Sequence, residues 1–256
     1  MIVRPRIKAL LACDLDGTLI TEDGSPAPGM IQALADLDAR GARLVVCTGR
    51  PLHGAQKVVA VLHADPLAYV CYHGALVIDV STGEWLTHLT LPAQIVTGIV
   101  REAEELGLSV TLYDGDERRA LPSSASTAAL GLSALAGITR IVLAGDPAGT
   151  AAALPALRES WGRRTRLERA GGGTVAVLPA TADKGEGLRL IAARFGVPLA
   201  RVVACGDSAA DLSLLRTAGF AIAVGVVSAS LRAAAQLVVR QDGLSEALRR
   251  ATEALL

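Results

Sequence analysis

Short apolar runs that stop at polar clusters set the rhythm of this chain. Ile7 to Cys13 ends at Asp14-Leu15-Asp16-Gly17, Ala42 to Cys47 at Thr48-Gly49-Arg50-Pro51, and Arg201 to Cys205 at Gly206-Asp207. Runs of this length without strict alternation read as strands buried on both faces. Met30 to Arg40 carries Ile31, Leu34 and Leu37 at helical spacing and is bracketed by Pro28 and Gly41. Strand, helix and strand make a βαβ unit, which predicts parallel pairing of the two strands. His53 to Leu62 reads as a helix. Ala68 to Asp79 reads as two β-rich pieces around His73-Gly74, and a turn at Ser81-Thr82-Gly83 leads to a further piece, Trp85 to Leu89.

The pattern changes after Pro92. Gln94 to Leu106 reads as a helix, Leu108 to Tyr113 and Ile138 to Ala144 as strands, Thr150 to Trp161 as a helix and Thr174 to Leu178 as a strand. This is a second α/β layer. Between Arg118 and Gly137 the Ala, Ser, Leu and Gly content shows no clear period, and a helix over part of that stretch is the expectation. Lys184 to Phe195 is then predicted helical, Ala209 to Ala218 helical, Ala221 to Val224 a strand and Ala229 to Ala235 the start of another helix.

Composition narrows the class. Hydrophobic residues make up 51% of the 256 positions and charged residues 20%, so the chain is globular. Aromatics are only 3%, which leaves Val, Leu, Ile and Ala to fill the interior. Lys plus Arg and Asp plus Glu are 25 each, giving no global field for nucleic acid or an anionic membrane. No stretch reaches the roughly 18 apolar residues of a membrane span, and Asp14 and Asp16 interrupt the first apolar run before a signal-peptide core could form. Four cysteines without a CxxC pair argue for reduced thiols, of which Cys13, Cys47 and Cys205 close buried strands. A cytoplasmic location is expected.

Asp14-Leu15-Asp16-Gly17-Thr18-Leu19 is the sharpest chemical signal. Two carboxylates two residues apart at a strand end repel unless a cation sits between them, so a divalent metal is implied. Gly17 permits the tight departure that brings Asp16 beside Asp14. Taken alone, this could also be an Asp-rich turn capping a helix.

The motif closely resembles the first motif, DxDGT, of the haloacid dehalogenase (HAD) superfamily. Three further stretches resemble later motifs of that family in the correct order: Val45-Val46-Cys47-Thr48-Gly49-Arg50, then Asp183-Lys184-Gly185, then Gly206-Asp207-Ser208-Ala209-Ala210-Asp211. The resemblance implies that Asp14 is the nucleophile, Asp16 the general acid and base, Thr48 a phosphate contact and Lys184 a fixed countercharge. It further implies Mg²⁺ held by Asp14, Asp16, Asp207 and Asp211. Gly49, Arg50 and His73 become candidates for substrate binding.

The long stretch between Asp79 and Lys184 looks like the insertion of the Cof-type group, which includes sugar-phosphate phosphatases. The expected fold is therefore α/β: a Rossmann-like parallel-sheet HAD core over residues 1–84 and 180–256, with an inserted α/β cap over 85–179. Such a cap would close over the substrate, which would be a small phosphorylated metabolite, a sugar phosphate foremost. Three positions depart from the pattern. His73 and Ala210 each replace a usual Asn, and Val226-Val227 follows Gly225 where Asn-Ala is common. Arg163, Arg164, Arg166 and Arg169 crowd one segment, either gripping an anion or protecting a solvated edge strand. Two alternatives stay open: a phosphomutase using the same aspartates, and a non-catalytic metabolite-binding or regulatory protein. The oligomeric state is not legible.

Overall fold

A computed structural model describes residues 6–121 and 135–256. Its chain forms two compact units, one running up to Thr87 and resuming over Asp183–Leu256, the other His88–Ala182. In chain order the first unit supplies β1 (Ala9–Cys13), α1 (Met30–Ala39), β2 (Ala42–Cys47), α2 (Leu52–Val61), β3 (Ala68–Cys71), β4 (Leu76–Asp79) and β5 (Trp85–His88). The second supplies α3 (Ala93–Glu105), β6 (Ser109–Asp114), β7 (Glu117–Ala120), β8 (Ile138–Ala144), α4 (Pro147–Trp161), β9 (Thr165–Ala170) and β10 (Thr174–Pro179). The first unit then resumes with α5 (Lys184–Arg194), β11 (Val202–Gly206), α6 (Leu212–Thr217), β12 (Phe220–Val224), α7 (Ala229–Ala234), β13 (Leu237–Val239) and α8 (Leu244–Glu253).

The first unit is built on one sheet of order β13-β12-β11-β1-β2-β3-β4-β5. From β13 to β3 every pairing is parallel, and β4 returns antiparallel to β3. Every residue of β1, β2 and β11 is buried. That explains why the three are apolar throughout except at Arg43 of β2, which pairs with Asp38 at 2.8 Å, since a parallel sheet covered on both faces has no wet side to encode. The register pairs Cys13 with both Cys205 and Val46. Asp14, Thr48 and Asp207 therefore emerge together at the carboxyl ends of β1, β2 and β11, where ligands bind in open α/β sheets. Leu10, Val45, Val70, Leu188, Val202 and Leu214 belong to one buried cluster beneath that edge.

The second unit holds a fully antiparallel sheet of order β7-β6-β8-β10-β9. Its separate core includes Val96, Ile99, Leu112, Ile141, Leu157 and Val177. α4 starts three residues before the predicted helix, because Asp146 accepts from the backbone N–H of Ala148 at 3.1 Å and of Gly149 at 2.9 Å, and Pro147 suits the first turn.

Some expectations need correction. Ile31 is 39% exposed; the face α1 buries is Met30, Ala33, Leu34 and Leu37. Arg164 lies before β9, its guanidinium over the Trp161 ring at 4.7 Å, while Arg166 pairs with Glu168 on the same face of that edge strand. β7 occupies the start of the unassigned Arg118 to Gly137 stretch, and the helix expected there otherwise falls on residues 122–134, outside the described ones. Among the described residues no helix is long and apolar enough to cross a membrane.

α5 meets the sheet through Gly187, where an added Cβ would lie 2.5 Å from Cγ1 of Val70. Alanine in mid-helix ordinarily gains about 1 kcal/mol over glycine. Here the neighbouring valines are buried and stiff at χ1, so overpacking at about 1–3 kcal/mol dominates. Gly187→Ala should thus lower stability by up to about 2 kcal/mol, the excess of overpacking over helix propensity, read as a reduced urea midpoint at unchanged slope.

Candidate active site

Asp14 sits one residue past β1, its N–H donating to the carbonyl of Cys205 at 3.0 Å, which ties it to the end of β11. The chain then turns at Gly17, whose φ of 75° is left-handed. A side chain there would be excluded on a second count, because a Cβ would stand 2.5 Å from Oδ2 of Asp207. Beyond the turn, bridges from Ile20 to Asp16 and to Pro26 make a small folded loop. Gln241, far along the sequence, fixes it by donating to the carbonyls of Thr18 and Ile20, both at 3.0 Å.

Lys184 organises the interior of the site. It is 1% exposed, and its Nζ donates to Oδ1 of Asp14 at 2.9 Å and to Oδ1 of Asp211 at 2.6 Å. Asp183 caps α5 by accepting from the N–H of Glu186 at 2.9 Å, which places an acid ahead of the lysine at the helix start. The other oxygen of Asp211 accepts from the hydroxyl of Ser208 at 2.9 Å and its N–H at 3.0 Å, and from the N–H of Asp207 at 3.3 Å. Asp211 thereby shapes the loop that presents Asp207. Thr18 donates its hydroxyl to Oδ1 of Asp207 at 3.1 Å.

Asp14, Asp207 and Asp211 each offer an oxygen within 4.8 Å of the others. Three carboxylates and one ammonium leave two negative charges in a buried space. Burial pushes the Asp14 carboxyl up to about 7 although Lys184 opposes this, and neighbouring Asp211 and Asp207 add to the rise. Asp207 is raised as well, again by burial first and Asp211 second. Lys184 moves the other way from what burial favours, because Asp14 and Asp211 together hold its ammonium charged. All-oxygen donors with two charges left unbalanced by Lys184 fit a hard divalent ion such as Mg²⁺. Asp14, Asp207 and Asp211 have the carboxylates to hold it, and of the three Asp211 accepts protein hydrogen bonds at both oxygens.

Asp16 lies outside this cluster. Both its oxygens accept from Arg50, from Nε at 2.7 Å and Nη2 at 2.6 Å. Thr48 is fully buried and its Oγ1 accepts from the N–H of Arg50 at 3.2 Å. His73 has a φ of 56° and donates its N–H to the Thr48 carbonyl at 3.0 Å. At Gly49 a Cβ would stand 2.4 Å from Nε2 of His73, and at Gly74 one would stand 2.1 Å from the carbonyl of Asp183. The turn after β3 is thus wedged between the end of β2 and the start of α5.

Thr18, Ser208 and Gln241 were not expected as parts of the site. Ser208-Ala209-Ala210-Asp211 has the spacing of a capping box, and that signal was readable. Gln241 had none, since its role depends on β13 carrying the chain back beside the loop.

A family model described as haloacid dehalogenase-like hydrolase matches residues 11–129 and 132–248. The HMP-PP phosphatase of Escherichia coli O6:H1 is 25% identical over 237 residues, covering 88% of this chain and 86% of that protein. YxeH of Bacillus subtilis is 23% identical over 251 residues, covering 91% and 93%. Among solved structures, a haloacid dehalogenase-like hydrolase from Bacteroides thetaiotaomicron superposes with a TM-score of 0.80 at 23% identity, covering 95% of this chain and 99% of that one. The HAD subclass IIB sugar phosphatase BT4131 gives 0.73 at 20% identity over 95% and 98%. The structural likenesses establish the fold, and the family model covers nearly the whole length. The chain belongs to the haloacid dehalogenase-like hydrolase family.

Proposed function

We propose that this enzyme hydrolyses small phosphorylated metabolites, sugar phosphates foremost, with Mg²⁺ and through an aspartyl-phosphate intermediate. The observation that carries the reading is the contact of buried Lys184 with Asp14 inside the acidic nest. Lys184 takes one oxygen of Asp14 and orients the other towards phosphorus. That oxygen attacks, the bond from phosphorus to the leaving oxygen breaks, and Asp16 supplies a proton to the departing alkoxide. Asp16, now a carboxylate, then takes a proton from water, whose oxygen attacks phosphorus and frees Asp14 with release of inorganic phosphate. The hydroxyl of Thr48 at the end of β2 would contact a phosphoryl oxygen. Bound Mg²⁺ would supply charge neutralisation between carboxylate and phosphoryl group.

BT4131 is a sugar phosphatase and the Escherichia coli relative an HMP-PP phosphatase. Both names support a phosphorylated small molecule as the substrate here.

Asp14→Asn keeps the shape of the side chain and removes the nucleophile. Hydrolysis of p-nitrophenyl phosphate should fall by at least about a thousandfold, with the circular-dichroism spectrum unchanged; an active variant would falsify the covalent route. Phosphate release in the same assay separates hydrolysis from mutase chemistry. Mg²⁺ should raise the melting temperature of the wild type and do so far less for Asp207→Asn, because only the folded nest binds the ion. Lys184→Met strands two buried carboxylates, so metal-free stability should drop by about 3–5 kcal/mol, measurable by urea denaturation.

A further inference from the structure

Beside Asp16 the first unit carries a cleft of about 260 Å³, whose walls include Asp16, Glu22, Arg50, Lys57, Val58 and Val61. The acid that would protonate the leaving group lines it, α2 supplies Lys57, Val58 and Val61 to its wall, and Asp14, Lys184, Asp207 and Asp211 are not among its lining residues. Its volume suits a fragment of a few heavy atoms rather than a large cofactor. The Arg50 and Asp16 side chains are 39% and 54% exposed, so their bidentate pair is open to water and to a competing anion. A guanidinium fork matches any planar carboxylate or a phosphate equally well.

We infer that this cleft is a subsite for a second anionic group on the leaving-group side of the substrate, and that Arg50 recognises it by exchanging Asp16 for that anion. The inference rests on the phosphatase reading and sharpens it to a substrate class: phosphomonoesters whose alcohol portion bears a carboxylate or a second phosphate. While both oxygens of Asp16 accept from Arg50, neither is given over to the leaving oxygen. An anion arriving in the cleft takes the fork, and the released Asp16 carboxylate takes up a proton from solvent and stands beside the leaving oxygen to which it passes that proton. Recognition and availability of the acid are then a single exchange. Lys57 adds positive charge, Val58 and Val61 give the carbon skeleton an apolar wall, and Glu22 opposes the anion from the same cleft.

The test compares kcat/KM, with Mg²⁺ present, for glucose 6-phosphate, 6-phosphogluconate and glucose 1,6-bisphosphate. At least one of the latter two should exceed glucose 6-phosphate by about tenfold or more, the size of one charge-assisted contact; which one does so identifies the anion as carboxylate or phosphate. Arg50→Gln should collapse that preference to within about threefold. Glu22→Gln, which removes a like charge, should enlarge the preference severalfold. General damage to the loop would not move the two variants in opposite directions. Equal rates on all three substrates in the wild type, or a preference that survives Arg50→Gln, overturns the subsite. Either result alongside Asp14-dependent hydrolysis of p-nitrophenyl phosphate leaves the phosphatase reading standing; hydrolysis that persists without Asp14 removes that reading instead.

Discussion

One ammonium group shared between two buried carboxylates is the constraint on which this site depends. Lys184 is sealed from solvent, and so is Asp211, with Asp14 nearly so. Charges in such a place persist only when paired and hydrogen-bonded. The fold meets this by bringing the end of β1, the start of α5 and the loop after β11 to one point at the carboxyl edge of a parallel sheet. With Asp207 beside them the pairing is incomplete by two charges, an imbalance that suits a divalent ion.

Close backbone approach is the second condition. Gly17 against Asp207, Gly49 against His73, Gly74 against Asp183 and Gly206 against Asp211 all leave no room for a Cβ. Two of the four also have left-handed backbone, so both sterics and dihedral preference select glycine there. The outcome is a division of labour between two aspartates only two residues apart. Asp14 is enclosed and held by a lysine, while Asp16, thrown outward by the turn at Gly17, meets solvent and an arginine.

Much of this was legible from residue order because buried parallel strands announce themselves as unbroken apolar runs, and polar residues that end such runs fall on one edge by topology. Asp14, Thr48 and Asp207 follow from that rule alone. Long-range partners were not legible. Nothing local to Gln241 tells that it grips the carbonyls of Thr18 and Ile20. Asp16 and Asp211 are metal ligands by the family resemblance, and residue spacing does not reveal that Arg50 pairs with the first or that Lys184, Ser208 and the Asp207 amide donate to the second. α8 was missed although Leu244, Ala247, Leu248 and Ala251 bury one face at helical spacing. Its apolar positions are interleaved with Glu and Arg, and it begins from a short 3₁₀ turn without a side-chain cap.

Asp14 and Lys184 are 170 residues apart in sequence, with the whole second unit threaded between them. Closing so long a loop costs only slightly more than closing one half its length, because the entropy grows with the logarithm of the span. Evolution can therefore lengthen, shorten or replace the intervening segment at little thermodynamic expense to the reaction centre. The bill falls on kinetics, since contacts of such high sequence separation form late during folding, and a nascent chain lacks its phosphate-handling apparatus until nearly all of it has been synthesised.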